Sequence, residues 1–219
     1  MRILAFTDIH ANKRALAELG RRATQADVIL CAGDVSEFGM DLLETLEIMN
    51  SWNKPIYIIH GNHEDESILA DVNQDFPNIE FVHGKEIVTQ GIIITGWGGG
   101  GFALEDPRLA TFAKKLQAKP NRILMFHGPP HGTAVDYIDR IDRFVGCKTR
   151  RAVIEKLQPF LVVSGHIHET FNRQDKIGRS IVINPGPLGK FVEVNVKATS
   201  EKKPVKKTAK KKTGVKENK

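Results

Sequence analysis

An α/β fold is predicted by three observations on the 219-residue sequence. Aliphatic, β-branched runs alternate with stretches of helical apolar spacing through the first third, as in a sheet whose strands are joined by helices. Those runs end repeatedly in the same polar types: aspartate, asparagine and histidine. The middle of the chain then breaks into short strands separated by turn residues, in the manner of hairpins.

Residues 2–7 read as the first strand, closed by Asp8-Ile9-His10, after which Asn12 can cap a helix carrying Leu16 and Leu19 to about Gly20. Residues 27–32 form the second strand, ended by Gly33-Asp34, and Leu42, Leu43, Leu46 and Ile48 mark the next helix. The third strand, residues 55–59, runs into His60-Gly61-Asn62-His63. Short strands are expected over residues 79–82, 86–89 and 92–95, followed by a glycine stretch, Gly98-Gly99-Gly100-Gly101, between Trp97 and Phe102. That stretch lacks the Lys-Ser/Thr ending of a nucleotide P-loop and reads as a mobile loop, with substrate contact as the other reading. A helix over residues 107–118 leads to a strand at 122–126, ended by His127-Gly128-Pro129-Pro130. A helix over 148–157 precedes a strand at 160–163 and Gly165-His166-Ile167-His168; strands at 179–183 and 191–196 follow.

Hydrophobic residues make up 41% of the chain, which at this length suffices for one well-buried domain. No run of about 18 apolar residues occurs, so no membrane span is expected. The opening residues are too short an apolar stretch for a signal-peptide core, and a cytoplasmic location is expected. Cys31 sits inside a strand as a small hydrophobe, and with Cys147 it makes no disulfide framework. Residues 191–219 hold ten Lys and three Glu, so that +7 taken from the whole-chain +6 leaves −1 for residues 1–190. Basicity therefore belongs to the tail. A domain over residues 1–196 and a disordered lysine-rich tail over 197–219 are expected, because the tail cannot bury enough surface to offset its ordering entropy.

The polar strand ends gather Asp8, His10, Asp34, Asn62, His63, His127, His166 and His168. In α/β sheets, ligands collect beyond the carboxyl ends of strands, so these residues would converge on one rim. Carboxylates, imidazoles and an amide oxygen suit zinc, manganese or iron, and no thiolate set points to a closed structural zinc site. The candidates exceed what one tetrahedral ion needs, whereas two ions about 3.5 to 4 Å apart and sharing a carboxylate would use them.

Asp8-x-His10, Gly33-Asp34, Gly61-Asn62-His63, His127 and Gly165-His166-x-His168, in that order and each after a strand, resemble the calcineurin-like metallophosphoesterase family over about residues 3–186. Gly61 to Glu64, His127 to Pro130 and Val145-Gly146-Cys147 look nearer its small Icc-related branch. The resemblance implies a two-sheet β-sandwich flanked by helices, in four layers α/β/β/α. It implies one divalent ion on Asp8, His10, Asp34 and His168 and a second on Asp34, Asn62, His127 and His166, with Asp34 as bridge. Manganese, iron, zinc and nickel all suit that set. His63 matches the family's non-ligand catalytic histidine. The implied activity is that of a metal-dependent phosphoesterase, a phosphodiesterase in preference to a phosphatase, hydrolysing a small phosphoester through a metal-bridging hydroxide. Phe126 stands where the family has a glycine before its histidine.

Two other functions are open to this sequence. A nuclease would use the lysine tail for non-specific contact with DNA or RNA, which weakens steeply with salt. A metal-free scaffold would carry substitutions at ligand positions, and none is present. Outside the pattern, His60, His83 and His131 read as structural or exposed, Asn184-Pro185-Gly186 as turn chemistry, and Asp136, Asp139 and Asp142, alternating with Arg140 and Arg143, as a solvated face. Oligomeric state has no signature here.

Overall fold

The computed structural model describes residues 1–195. The first half of the chain comprises β1 (Arg2–Phe6), α1 (Lys13–Ala23), β2 (Val28–Cys31), α2 (Leu42–Asn50), β3 (Ile56–Ile58), α3 (Glu66–Leu69), α4 (Val72–Asp75), β4 (Ile79–Phe81), β5 (Glu86–Thr89) and β6 (Ile92–Trp97). The second half comprises α5 (Pro107–Ala113), β7 (Arg122–Phe126), β8 (Tyr137–Ile138), β9 (Arg143–Phe144), α6 (Lys148–Leu157), β10 (Leu161–Val163), β11 (Gln174–Ile177), β12 (Ser180–Ile183) and β13 (Lys190–Glu193).

Two sheets result. The first has the order β13-β1-β2-β3-β4 and is parallel from β1 to β4, with β13 antiparallel at its edge. The second has the order β11-β12-β10-β7-β6-β5, with a parallel centre and antiparallel strands at both edges. Strand alternation explains how they stack, because successive side chains leave a strand on opposite faces. Ile3 and Ala5 of β1 join Val28, Leu30, Ile94, Ile123, Met125, Leu161 and Val163 in a core between the sheets. The intervening Leu4 and Phe6 face the other way, against Leu16 and Leu19 of α1 and Leu46 and Met49 of α2. Leu124, Phe126 and Val162 of the second sheet pack outward on Leu109 of α5 and Val153, Ile154 and Leu157 of α6. The layers are therefore α/β/β/α, and the central strands are buried on both faces, as parallel strands require.

Local chemistry sets the helix starts. Asn12 Oδ1 accepts from the amides of Arg14 and Ala15, both at 3.1 Å, so it caps α1 as its position predicts. Asp106 caps α5 through Leu109 N at 2.9 Å, with Pro107 at the first helical position.

The structure corrects the sequence reading at four places. Of the three short strands expected over residues 79–95, only β5 and β6 pair as a hairpin; β4 lies parallel to β3 in the other sheet, reached through α3 and α4. The helix after Pro107 stops at Ala113 and not near residue 118. Strand β11 escaped notice because only Ile177 of its four residues is buried, as suits a polar edge strand. Asp136 is no solvated residue: it is fully buried and accepts from Gly132 N, Thr133 N, Thr133 Oγ1 and Gly146 N at 2.6 to 3.1 Å. Its carboxylate gathers the turn amides of residues 132–146, a role that sequence spacing does not disclose. The expected tail, residues 197–219, lies outside the described residues.

Removing that carboxylate strands several buried donors. Asp136→Ala is expected to lower stability by about 3 kcal/mol, read as a reduced urea midpoint at unchanged slope. A loss under about 0.5 kcal/mol, the range of ordinary surface substitutions, would show that the carboxylate does not bind this segment together.

Candidate metal centre

The carboxyl ends of β1, β2, β3, β7 and β10 meet where the two sheets touch. His127 Nδ1 lies 2.9 Å from Ala32 O, Asn62 Oδ1 lies 3.0 Å from His127 Nε2, and both oxygens of Asp8 accept from His166 N at 3.0 and 3.1 Å. Each of these bonds joins one sheet to the other. All eight residues singled out in the sequence are drawn into this region.

They fall into two groups. Asp8, His10 and His168 offer ligand atoms within 4.8 Å of one another, and so do Asp34, His127 and His166. Asp34 Oδ2 lies 3.3 Å from His127 Nε2 and 3.9 Å from His10 Nε2, so one carboxylate oxygen reaches toward both groups. A third set, His10, Glu37 and His63, extends the first group to the surface. His63 has its Nε2 4.0 Å from Asp34 Oδ2, and its Nδ1 accepts from Phe38 N at 3.3 Å, which leaves the proton of the neutral ring on Nε2.

The donor set fits divalent cations. His127 Nδ1 faces a carbonyl and must donate, so its Nε2 presents a lone pair toward two further acceptors, Asn62 Oδ1 and Asp34 Oδ2. His10 repeats the arrangement: Nδ1 is 3.3 Å from Ser36 O, while Nε2 is 3.3 Å from His168 Nε2. Converging lone pairs repel unless a cation or a proton lies among them. A ring nitrogen held on a carbonyl is also the usual support of a metal-binding histidine. His166 Nε2 is buried without any hydrogen-bond partner among the described residues. Burial, and then the neighbouring His127, push the His166 ring down to about 4, so its lone pair is free at neutral pH.

Electrostatics couple the two sides. Burial works to raise the Asp34 carboxyl, but the hydrogen bond and charge of His127, with the His63 amide, outweigh it and hold the group at about 2. For His127 burial works to lower the pKa, and Asp34 reverses the direction and raises it. Asp8, 3.8 Å from His168 Nε2, raises that ring in turn.

The backbone is bent to present these groups. Asp8, His10, Asp34 and His166 all adopt left-handed φ, between 44° and 70°. Such conformations are uncommon outside glycine, cost of order 1 to 3 kcal/mol each, and cluster at functional sites. Gly61 and Gly165 permit the close approach. A Cβ at Gly61 would fall 1.9 Å from Asp34 Oδ1, and one at Gly165 would fall 2.0 Å from Thr7 Oγ1.

Several contributors escaped the sequence reading. Glu64, buried beneath the rim, accepts from Asp34 N, Ser36 N and Gly61 N at 2.9 to 3.0 Å and from Ser36 Oγ at 2.8 Å. It thereby shapes the loops bearing Asp34 and Asn62. Its place after Gly61-Asn62-His63 was the available signal. Glu37 and Phe38 sit in an irregular loop with no periodicity to mark them. Arg150, fully buried on α6, donates to Gly99 O at 3.0 Å. With Gly98 N on His83 Nδ1 at 2.8 Å and Gly99 N on His60 O at 3.0 Å, the glycine stretch is pinned at several points, against the expectation of a free loop. Phe102 at its end tilts over His166, ring centroids 4.7 Å apart.

A four-layer sandwich with imidazole and carboxylate clusters at the junction of its sheets is the architecture of a metallophosphoesterase. The chain belongs to the calcineurin-like phosphoesterase family, whose model matches residues 1–170. It is thus a phosphoric ester hydrolase of a family that uses divalent metals. It is similar to an uncharacterized protein of Methanocaldococcus jannaschii, 29% identical, over 88% of this chain and 91% of that one. It is also similar to the 3',5'-cyclic adenosine monophosphate phosphodiesterase CpdA of Pseudomonas aeruginosa, 24% identical, over 79% of this chain but 65% of that protein's length. Among solved structures, TT1561 of Thermus thermophilus superposes with a TM-score of 0.66 at 22% identity, over 85% of this chain and 89% of that one, a likeness of fold. Among the described residues no helix is long and apolar enough to cross a membrane. The lysine-rich segment on which a nuclease reading rests lies outside the described residues.

Supporting groups of this kind typically govern metal affinity by about 10- to 100-fold. Glu64→Ala is expected to weaken manganese binding by that amount in calorimetric titration. Wild-type affinity in a folded variant would show that the loops hold their shape without Glu64.

Proposed function

We propose that the chain is a dinuclear metal-dependent phosphodiesterase acting on a small phosphoester. The observation that carries this reading is the pair of ligand groups, Asp8/His10/His168 and Asp34/His127/His166, with an Asp34 oxygen facing both. Asn62 Oδ1, beside His127 Nε2, would complete the second set. Two divalent ions held there would lower the pKa of water toward neutrality and neutralise phosphate oxygens.

The chain's own residues supply the rest. Asp34, held ionised, provides the negative charge between the two sites. The peptide carbonyls of Ala32 and Ser36 keep the His127 and His10 rings turned with Nε2 toward the centre. His63 turns Nε2 toward the centre and, as an imidazolium with Nδ1 3.6 Å from Glu37 Oε1, would protonate the departing oxygen and return to the neutral ring; such help is typically worth about 10² to 10⁴ in rate. Preference for a diester draws support from the similarity to CpdA, named a cyclic nucleotide phosphodiesterase. A domain over residues 1–196 acting in the cytoplasm, with the basic tail outside it, is part of the same reading.

The test is hydrolysis of bis-para-nitrophenyl phosphate with added manganese, set beside monoesters and cyclic nucleotides. Protein that binds two equivalents of metal yet turns over no phosphoester would refute the proposal. His63→Ala is expected to keep its metal and lose about 10²-fold or more in kcat; an unchanged kcat would remove His63 from the chemistry. His166→Ala and His168→Ala are each expected to lose one metal equivalent, with spectroscopically different cobalt sites remaining. Identical residual spectra would argue against two separate sites.

A further inference from the structure

Phe38 is an outlier in two respects. It is 71% exposed, and its φ of 49° places a bulky residue in the left-handed region. An exposed ring gains little from burial that could offset such strain. What the conformation achieves is a face-to-face stack on His63, with centroids 4.0 Å apart and 26° between the planes. The Phe38 amide meanwhile holds His63 Nδ1.

The loop carrying Phe38 is tied down. Gly39 N donates to Ser36 Oγ at 3.1 Å, Ser36 is bonded to buried Glu64 through both its amide and its hydroxyl, and Met40 N donates to Glu37 O at 3.0 Å. Phe38 is thus a fixed ring beside His63, with its remaining surface open to solvent. Met40, 61% exposed, follows two residues later. The other exposed phenylalanine at the rim, Phe102, stands over His166 in the opposite ligand group. The surroundings of His63 and of His166 are thereby distinct.

We propose that Phe38 is the specificity-determining residue for the leaving group and selects phosphoesters whose leaving group carries a planar aromatic or heteroaromatic ring. The inference rests on His63 as the proton donor. A donor must come within hydrogen-bond reach of the leaving oxygen, so the group attached to that oxygen lies against whatever borders His63, and Phe38 borders it. A planar ring gains offset stacking on Phe38; a saturated ring of the same size gains only contact area. Stacking of a base on an aromatic side chain is worth about 5- to 160-fold in affinity.

Two non-hydrolysable probes separate these effects: benzylphosphonate and cyclohexylmethylphosphonate, alike in charge and carbon count. Binding to the full-length, manganese-loaded protein is measured by calorimetry. Wild type is expected to bind benzylphosphonate about fivefold tighter or more, Phe38→Trp to keep the preference, and Phe38→Leu to abolish it. Equal binding of the two probes by wild type, tighter binding of the saturated ring, failure to bind either, or a preference that survives Phe38→Leu would each overturn the proposal. Metal content and thermal midpoint of each variant establish that it is folded. His63→Ala, assayed in parallel, distinguishes the two readings. Wild-type turnover by His63→Ala overturns the leaving-group assignment even if the aromatic preference holds, whereas lost turnover without any aromatic preference removes Phe38 alone.

Discussion

The constraint on which this structure depends is the burial of the Asp34 carboxylate among imidazoles contributed by both sheets. A buried negative charge is tolerable only when paired, and here the partners come from opposite halves of the chain: His10 and His63 from the first sheet, His127 from the second. The depressed pKa of Asp34 and the raised pKa of His127 express one mutual stabilisation. The same contact that joins the sheets thus concentrates negative charge and open lone pairs at their junction. Fold and cation affinity arise from a single arrangement.

That arrangement is strained, and the surroundings hold it. Left-handed φ at four of the polar strand ends turns side chains that would otherwise alternate across a strand toward one point. The opposing stabilisation comes from groups beneath the rim. Glu64 gathers three backbone amides under the Asp34 and Asn62 loops, while Asp8 accepts the His166 amide across the sheets. Arg150 and the glycine stretch play a comparable part beside His166, where a buried guanidinium meets a backbone carbonyl. Rigidity below leaves variation to the loops above, and the two exposed phenylalanines of the rim, Phe38 and Phe102, sit on those loops.

Central strands and helices were legible because each carries its own periodic signal. β1, β2, β7 and α6 match expectation within a residue or so, as does the Asn12 cap. The polar strand ends could be gathered into one candidate site because parallel strands deliver their carboxyl ends to one edge. Where the signal is not local, the reading failed. The strand at residues 79–82 pairs with β3 rather than with the hairpin after it, since short apolar strands look alike whichever sheet takes them. Asp136 lies in a run of alternating charges that resembles a solvated face, and only the convergence of distant turn amides makes it a buried anchor. By contrast, His60, read as structural or exposed, is buried, and burial lowers its pKa to about 4.

The sequence by itself determined the α/β class, the near-neutral body with its basic end, and the identity of the polar groups at the strand ends, because composition and period-two or helical spacing are local properties. Tertiary structure alone decided the distances between those groups and which nitrogen of the His10, His63 and His127 rings faces the centre. It likewise revealed that Glu64 supports the loops and that Phe38 lies on His63. These depend on backbone turns of left-handed φ and on hydrogen bonds between residues up to 158 positions apart, as between Asp8 and His166. No local pattern encodes such contacts; they exist only once the two sheets have closed on one another.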